Sequence, residues 1–169
     1  MRLYANKEKM NKGYSLVELV VVMAIMAILA GTVTIALSPG KDAKECMQKL
    51  EASLNKGRLD SMAKRNYSFK VTRDDNGIYL ETYDNSSGTP SLVTSEKVGK
   101  ANVTVGYVTS SGDPATPVTL NNGDGISLAY DRVSGAFKES VDITYLTFSR
   151  GNRTYVLRLY KETGKIEEQ

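Results

Sequence analysis

The longest run of apolar side chains extends from Leu16 to Leu37 and reads LVELVVVMAIMAILAGTVTIAL, interrupted by Glu18, Gly31, Thr32 and Thr34. As a helix rising about 1.5 Å per residue it covers roughly 33 Å, enough to predict a span across a hydrocarbon core of about 30 Å. Ser38-Pro39-Gly40 follows. Proline donates no backbone hydrogen bond and pushes the residue before it out of helical geometry, so a helix breaks or kinks there. The spacing then becomes that of an amphipathic helix from residue 41 to about 65. Ala43, Cys46, Met47, Leu50, Leu54 and Met62 fall on one stripe, with Lys, Asp, Glu and Arg between them. Such a helix buries one face, which predicts a long N-terminal helix whose second half lies on a globular domain.

Past Asn66 the pattern shortens to runs rich in Val, Ile, Thr, Tyr and Phe, separated by Gly, Asn, Asp and Pro clusters, which are strand signals. Ser68 to Thr72 and Ile78 to Tyr83 flank Asp74-Asp75-Asn76-Gly77, a hairpin signal in which Asn and Gly tolerate positive φ. Further strands are expected at Leu92 to Val98, Val103 to Val108, Ile126 to Tyr130, Ile143 to Phe148 and Thr154 to Tyr160. Lys165 to Glu167 would extend the last hairpin across Glu162-Thr163-Gly164. Ser110 to Gly125, polar and holding Pro114 and Pro117, reads as an exposed loop. The predicted class is α+β, a long helix packed on an antiparallel, β-rich domain.

Charge changes this picture at one end only. Arg2, Lys7, Lys9 and Lys12 against Glu8 account for the whole formal charge of +3, so the remaining side chains balance. Basic residues before the apolar run place that end in the cytoplasm. A secretory signal peptide shares the basic start, but its apolar region spans about seven to fifteen residues and ends in a small-x-small cleavage pattern, which Ser38-Pro39-Gly40-Lys41-Asp42 lacks. The chain has no histidine and one cysteine, Cys46. The commonest general base is therefore missing, as are Cys/His zinc sites and any internal disulfide. Asp74-Asp75-Asn76-Gly77 and Asn121-Asn122-Gly123-Asp124-Gly125 lack the spaced calcium-loop pattern and read as turns. No metal, cofactor or enzymatic activity is expected. Cys46 reads as a small buried hydrophobe.

Glu18 is the costly residue of the apolar run, since an acidic side chain deep in a membrane helix costs on the order of 2.5 to 3.5 kcal/mol. Ala27 and Gly31 form a small-xxx-small pair suited to close helix approach. Read together, Lys12-Gly13-Tyr14-Ser15-Leu16-Val17-Glu18 resembles the class III signal of type IV pilins and type II secretion pseudopilins. The match lies at Gly13, Ser15, Leu16, Val17 and Glu18, with Tyr14 where the family usually has Phe.

The resemblance implies a structural subunit, a minor pilin or pseudopilin. A prepilin peptidase would cut between Gly13 and Tyr14 and methylate the new amino terminus of Tyr14. Residues 1–13 would be the leader, 14–38 the transmembrane and polymerisation helix, 39–65 its amphipathic continuation and 66–169 the β-rich domain. Glu18 would meet the terminal ammonium of a neighbouring subunit. The implied partners are other pilin subunits, the peptidase and an inner-membrane assembly platform with its ATPase. The implied location is a single pass through the inner membrane with the C-terminal domain outside the cytoplasm, then an extracellular or periplasmic filament.

A weaker resemblance to GspH/FimT-like minor pilins covers Ile143 to Gly151 and Glu162 to Ile166. It implies an alternative, a DNA-uptake or adhesion subunit whose nucleic-acid contacts would be Arg150, Arg153 and Arg158. Charge opposes a general affinity for polyanions, because residues 66–169 carry two more acidic than basic side chains. A third reading is a membrane-anchored sensor that keeps its leader.

Overall fold

In a computed structural model the described residues are 15–36, 40–63, 65–113 and 115–169, with side chains described for all of these except 30–36. Gly13 and Tyr14 lie outside them. The chain divides into two units, Met1–Ser38 and Pro39–Gln169. The first contains α1 (Leu16–Ala36). Among the described residues no helix is long and apolar enough to cross a membrane. The described side chains of α1, Leu16 to Leu29, cover roughly 21 Å at 1.5 Å per residue.

The second unit is α+β. Gly40, with φ of 99°, precedes α2 (Lys41–Met62), and no L residue takes that backbone conformation without strain. The first sheet contains β1 (Tyr67–Asp74), β2 (Gly77–Asp84), β3 (Ser91–Lys100) and, further along the chain, β6 (Gly125–Ala129), in the order β3-β2-β1-β6. The second contains β4 (Thr104–Thr109), β5 (Val118–Thr119), β7 (Ile143–Arg150), β8 (Arg153–Tyr160) and β9 (Lys165–Glu168), in the order β5-β4-β7-β8-β9. Every pairing is antiparallel.

Helix α2 packs against strands of both sheets. Ala43, Cys46, Met47, Leu50 and Leu54 meet Phe69, Val71, Ile78 and Leu80 of the first sheet and Leu146, Phe148, Leu157 and Leu159 of the second in one buried cluster. Here the predicted stripe holds as far as Leu54 and then departs. Met62 is 41% exposed, and the buried face continues through Gly57 and Ser61. The reason is proximity: a Cβ at Gly57 would run into the Phe69 ring, so only a hydrogen side chain lets α2 approach β1 there. The Ser61 hydroxyl, buried on the same face, donates to the Gly57 carbonyl at 2.9 Å.

Turn chemistry follows residue type, with one correction. The Asp74 carboxylate accepts from the backbone N–H groups of Asn76 and Gly77, both at 2.8 Å, an Asx arrangement that closes the β1–β2 hairpin. Gly77 does not take positive φ; it is small because a Cβ would collide with the Gly99 carbonyl on β3. Positive φ appears instead at Gly164, at 65°, in the predicted last hairpin. The stretch Ser110 to Gly125 is not loop throughout. It contains β5, and Leu120 is 1% exposed, its N–H donating to the Val105 carbonyl at 2.8 Å.

Cys46 is 1% exposed. Burial pushes its thiol from the ordinary 9.0 up to about 12, with Lys49 opposing the rise. A thiol reagent at pH 8 should therefore leave the folded chain unlabelled and label one site after denaturation; rapid labelling of the folded chain would contradict this packing. Because the folded thiol stays protonated where the unfolded one ionises, stability should decline as pH rises from 9.0 toward about 12.

Candidate functional site

Glu18 lies in the first turn of α1, where a carboxylate complements the positive end of the helix dipole. The helix around it has no polar face. Every described large apolar side chain of α1 is at least half exposed, from 51% at Val21 and Ile25 to 79% at Leu16. Contiguous apolar surface of this extent marks a membrane or protein contact rather than a solvated face. Among the described residues no cation lies within ion-pairing distance of Glu18. Glu18 is thus an acid set among exposed Leu16, Val17 and Leu19, with no ion-pair partner among the described residues.

The three arginines singled out in the sequence do not share one face. Arg150 and Arg153 face each other across the β7–β8 turn, while Arg158 is paired with Tyr145. Side chains alternate along a strand, so Arg158, five residues after Arg153, points to the opposite side of the sheet. Arg150 is engaged by Asp42 in an ion pair. The stem of Arg153 lies against Gly40. Arg158 covers the rings of Tyr160, at 4.8 Å, and Tyr145, at 5.7 Å, an arrangement that fixes a guanidinium through ring quadrupoles. Next to it, hydrogen bonds from Lys165 and Tyr160, with the charges of Lys165 and Arg158 behind them, hold the Glu167 carboxyl below its ordinary range.

Asp42 was not among the residues the sequence singled out. Its side chain is 13% exposed, accepts from Lys100 Nζ at 2.9 Å through one oxygen and pairs with Arg150 through the other. The only sequence signal was an acidic residue in the first turn of an amphipathic helix, which usually means no more than dipole complementarity. Beside it a hollow of about 300 Å³ is lined by Asp42, Glu45, Cys46, Lys49, Lys97 and Lys100. The thiol in its lining, Cys46, is kept protonated by burial. Among the described residues no group of three or more His, Cys, Asp or Glu side chains is placed to hold a metal ion.

Residues 9–34 match the family model described as the prokaryotic N-terminal methylation motif, which is typical of the class III signal peptides of type IV pilins and pseudopilins. The match takes in Gly13, Tyr14 and Glu18 and all but the last three residues of the apolar run, and leaves the second unit outside it. No curated protein and no solved structure matches the chain.

Proposed function

We propose that this chain is the precursor of a structural subunit, a minor pilin or pseudopilin, of a type IV pilus or type II secretion-like filament. The observation that carries this reading is the methylation motif at residues 9–34, continuous with a helix whose described apolar side chains are exposed on every side. A processing signal placed before such a helix, rather than after it, keeps the helix in the product.

In this reading the prepilin peptidase cuts between Gly13 and Tyr14 and methylates Tyr14. Residues 14–38 anchor the subunit in the inner membrane, with the domain of residues 39–169 outside the cytoplasm, until a platform and its ATPase move it into the filament. Cleavage removes the entire positive excess of the chain and creates an ammonium at Tyr14. The same ammonium, on a neighbouring subunit, neutralises Glu18 once both are out of water. The role is structural, and the nucleic-acid alternative gains no support from an Arg150 already paired and an Arg158 on the other side of the sheet.

The deciding experiment is the N-terminal sequence and intact mass of the protein purified from membranes. The expected product begins at methylated Tyr14. An intact Met1, or a cut near Ser38, would remove the reading.

A further inference from the structure

Any pull on α1 reaches the second unit through the chain at Gly40, since only residues 37–39 separate it from Ala36. At that entry point Gly40 offers α2 no side-chain hydrogen bond, so the cap itself adds no side-chain tie against a pull. Tension at Gly40 would lift α2 from its first turn onward, freeing Ala43 and then Cys46 and Met47, so the core would open in small steps.

Three ties oppose this. Asp42 receives Lys100 from the end of β3 at 2.9 Å and Arg150 from the end of β7, so one carboxylate fastens the helix start to both sheets. Lys44 reaches Glu168 on β9 at 3.7 Å. Arg153 packs its stem so closely on Gly40 that a Cβ there would lie 2.6 Å from the arginine Cδ. Among the described residues the remaining ion pairs, Lys41 with Glu45 and Lys165 with Glu167, each join neighbours within one element. They can hold nothing against a pull. The Asp42 group joins three elements far apart in sequence, and its carboxylate is largely shielded from water and salt.

We propose that Asp42, with Lys100 and Arg150, is a mechanical clamp that passes tension from α1 into both sheets and keeps α2 seated while the subunit is pulled from the membrane or the filament is stretched. The clamp rests on the filament reading above, because only a subunit loaded through α1 needs it. Its signature is directional: it matters when force enters at residue 40 and little when force enters elsewhere.

The test is single-molecule unfolding of residues 40–169, a fragment that contains every residue of the described core. One set of molecules is held at residues 40 and 169, a second at position 87, through Ser87→Cys in the β2–β3 turn, and at residue 169. Buried Cys46 does not compete for the handle. Asp42→Asn should shorten the lifetime at a given force about tenfold or more in the first geometry, the scale of a lost charge-assisted bond, and by less than about twofold in the second. Lys100→Gln, at a side chain 66% exposed and so unable to unseat the core, should give a smaller shortening in the first geometry alone. Equal shortening in both geometries would reduce the group to an ordinary stabilising ion pair and overturn the proposal, as would no change in either. N-terminal sequencing of the full chain decides the filament reading separately.

Discussion

Changing Glu18 to alanine is expected to leave the cut after Gly13 in place and to lower incorporation into filaments about a hundredfold or more. The size follows from the pairing. Removing one partner of a buried ion pair costs about 3–5 kcal/mol, because the other charge is left without compensation away from water. Alanine is a better helix former than glutamate, so α1 itself should not suffer and the loss would belong to subunit contact. The measurement is the amount of subunit in sheared filaments against that in membranes, with the N-terminal mass read on both. Normal incorporation of the alanine variant would end the proposed role of Glu18, and failure of processing would move that role to the peptidase.

The second large effect is expected in the domain. Phe148→Ala should destabilise the fragment of residues 40–169 by about 3–5 kcal/mol, the usual range for truncating a buried phenylalanine. Phe148 is fully buried on β7, the middle strand of the five-stranded sheet, with Val105 and Tyr155 opposite it on either side. Native domains hold only about 5–15 kcal/mol in reserve, so the variant should unfold at a much lower urea concentration with its cooperativity intact. A loss below about 1 kcal/mol would mean that Phe148 does not occupy the centre of this core.

The elements of the domain were legible because their periods are unambiguous. The helical spacing of Ala43, Cys46, Met47, Leu50 and Leu54 and the Val, Ile and Tyr alternation of the strands each admit one arrangement of buried faces. What escaped has physical causes. Reading by hydrophobicity weighs apolar mass and therefore extends the stripe to Met62, whereas the helix comes closest to β1 where it has least side chain, at Gly57 and Ser61. Leu120 is a single apolar residue in polar surroundings, too short a signal for any period.

The candidate site divides along the same line. The methylation motif of residues 9–34 lies in one short stretch of chain, so the sequence alone displays it. Asp42 acquires meaning only when Lys100 and Arg150, far along the chain, arrive at its two oxygens. The division of Arg150 and Arg153 from Arg158 needs the register of one hairpin, which depends on a tight turn with Gly151 at φ of 59°. Composition presents all three as one basic cluster; the pleat separates them.

The buried cluster runs from Ala43 to Ile166, within the second unit. The melting curve of the domain should be the same whether the apolar helix is dissolved in lipid, held in detergent or packed among its own kind. In the filament reading proposed above, a subunit would change its surroundings along α1 without refolding, so traffic between membrane and filament would run in either direction with the same folded domain as its passenger.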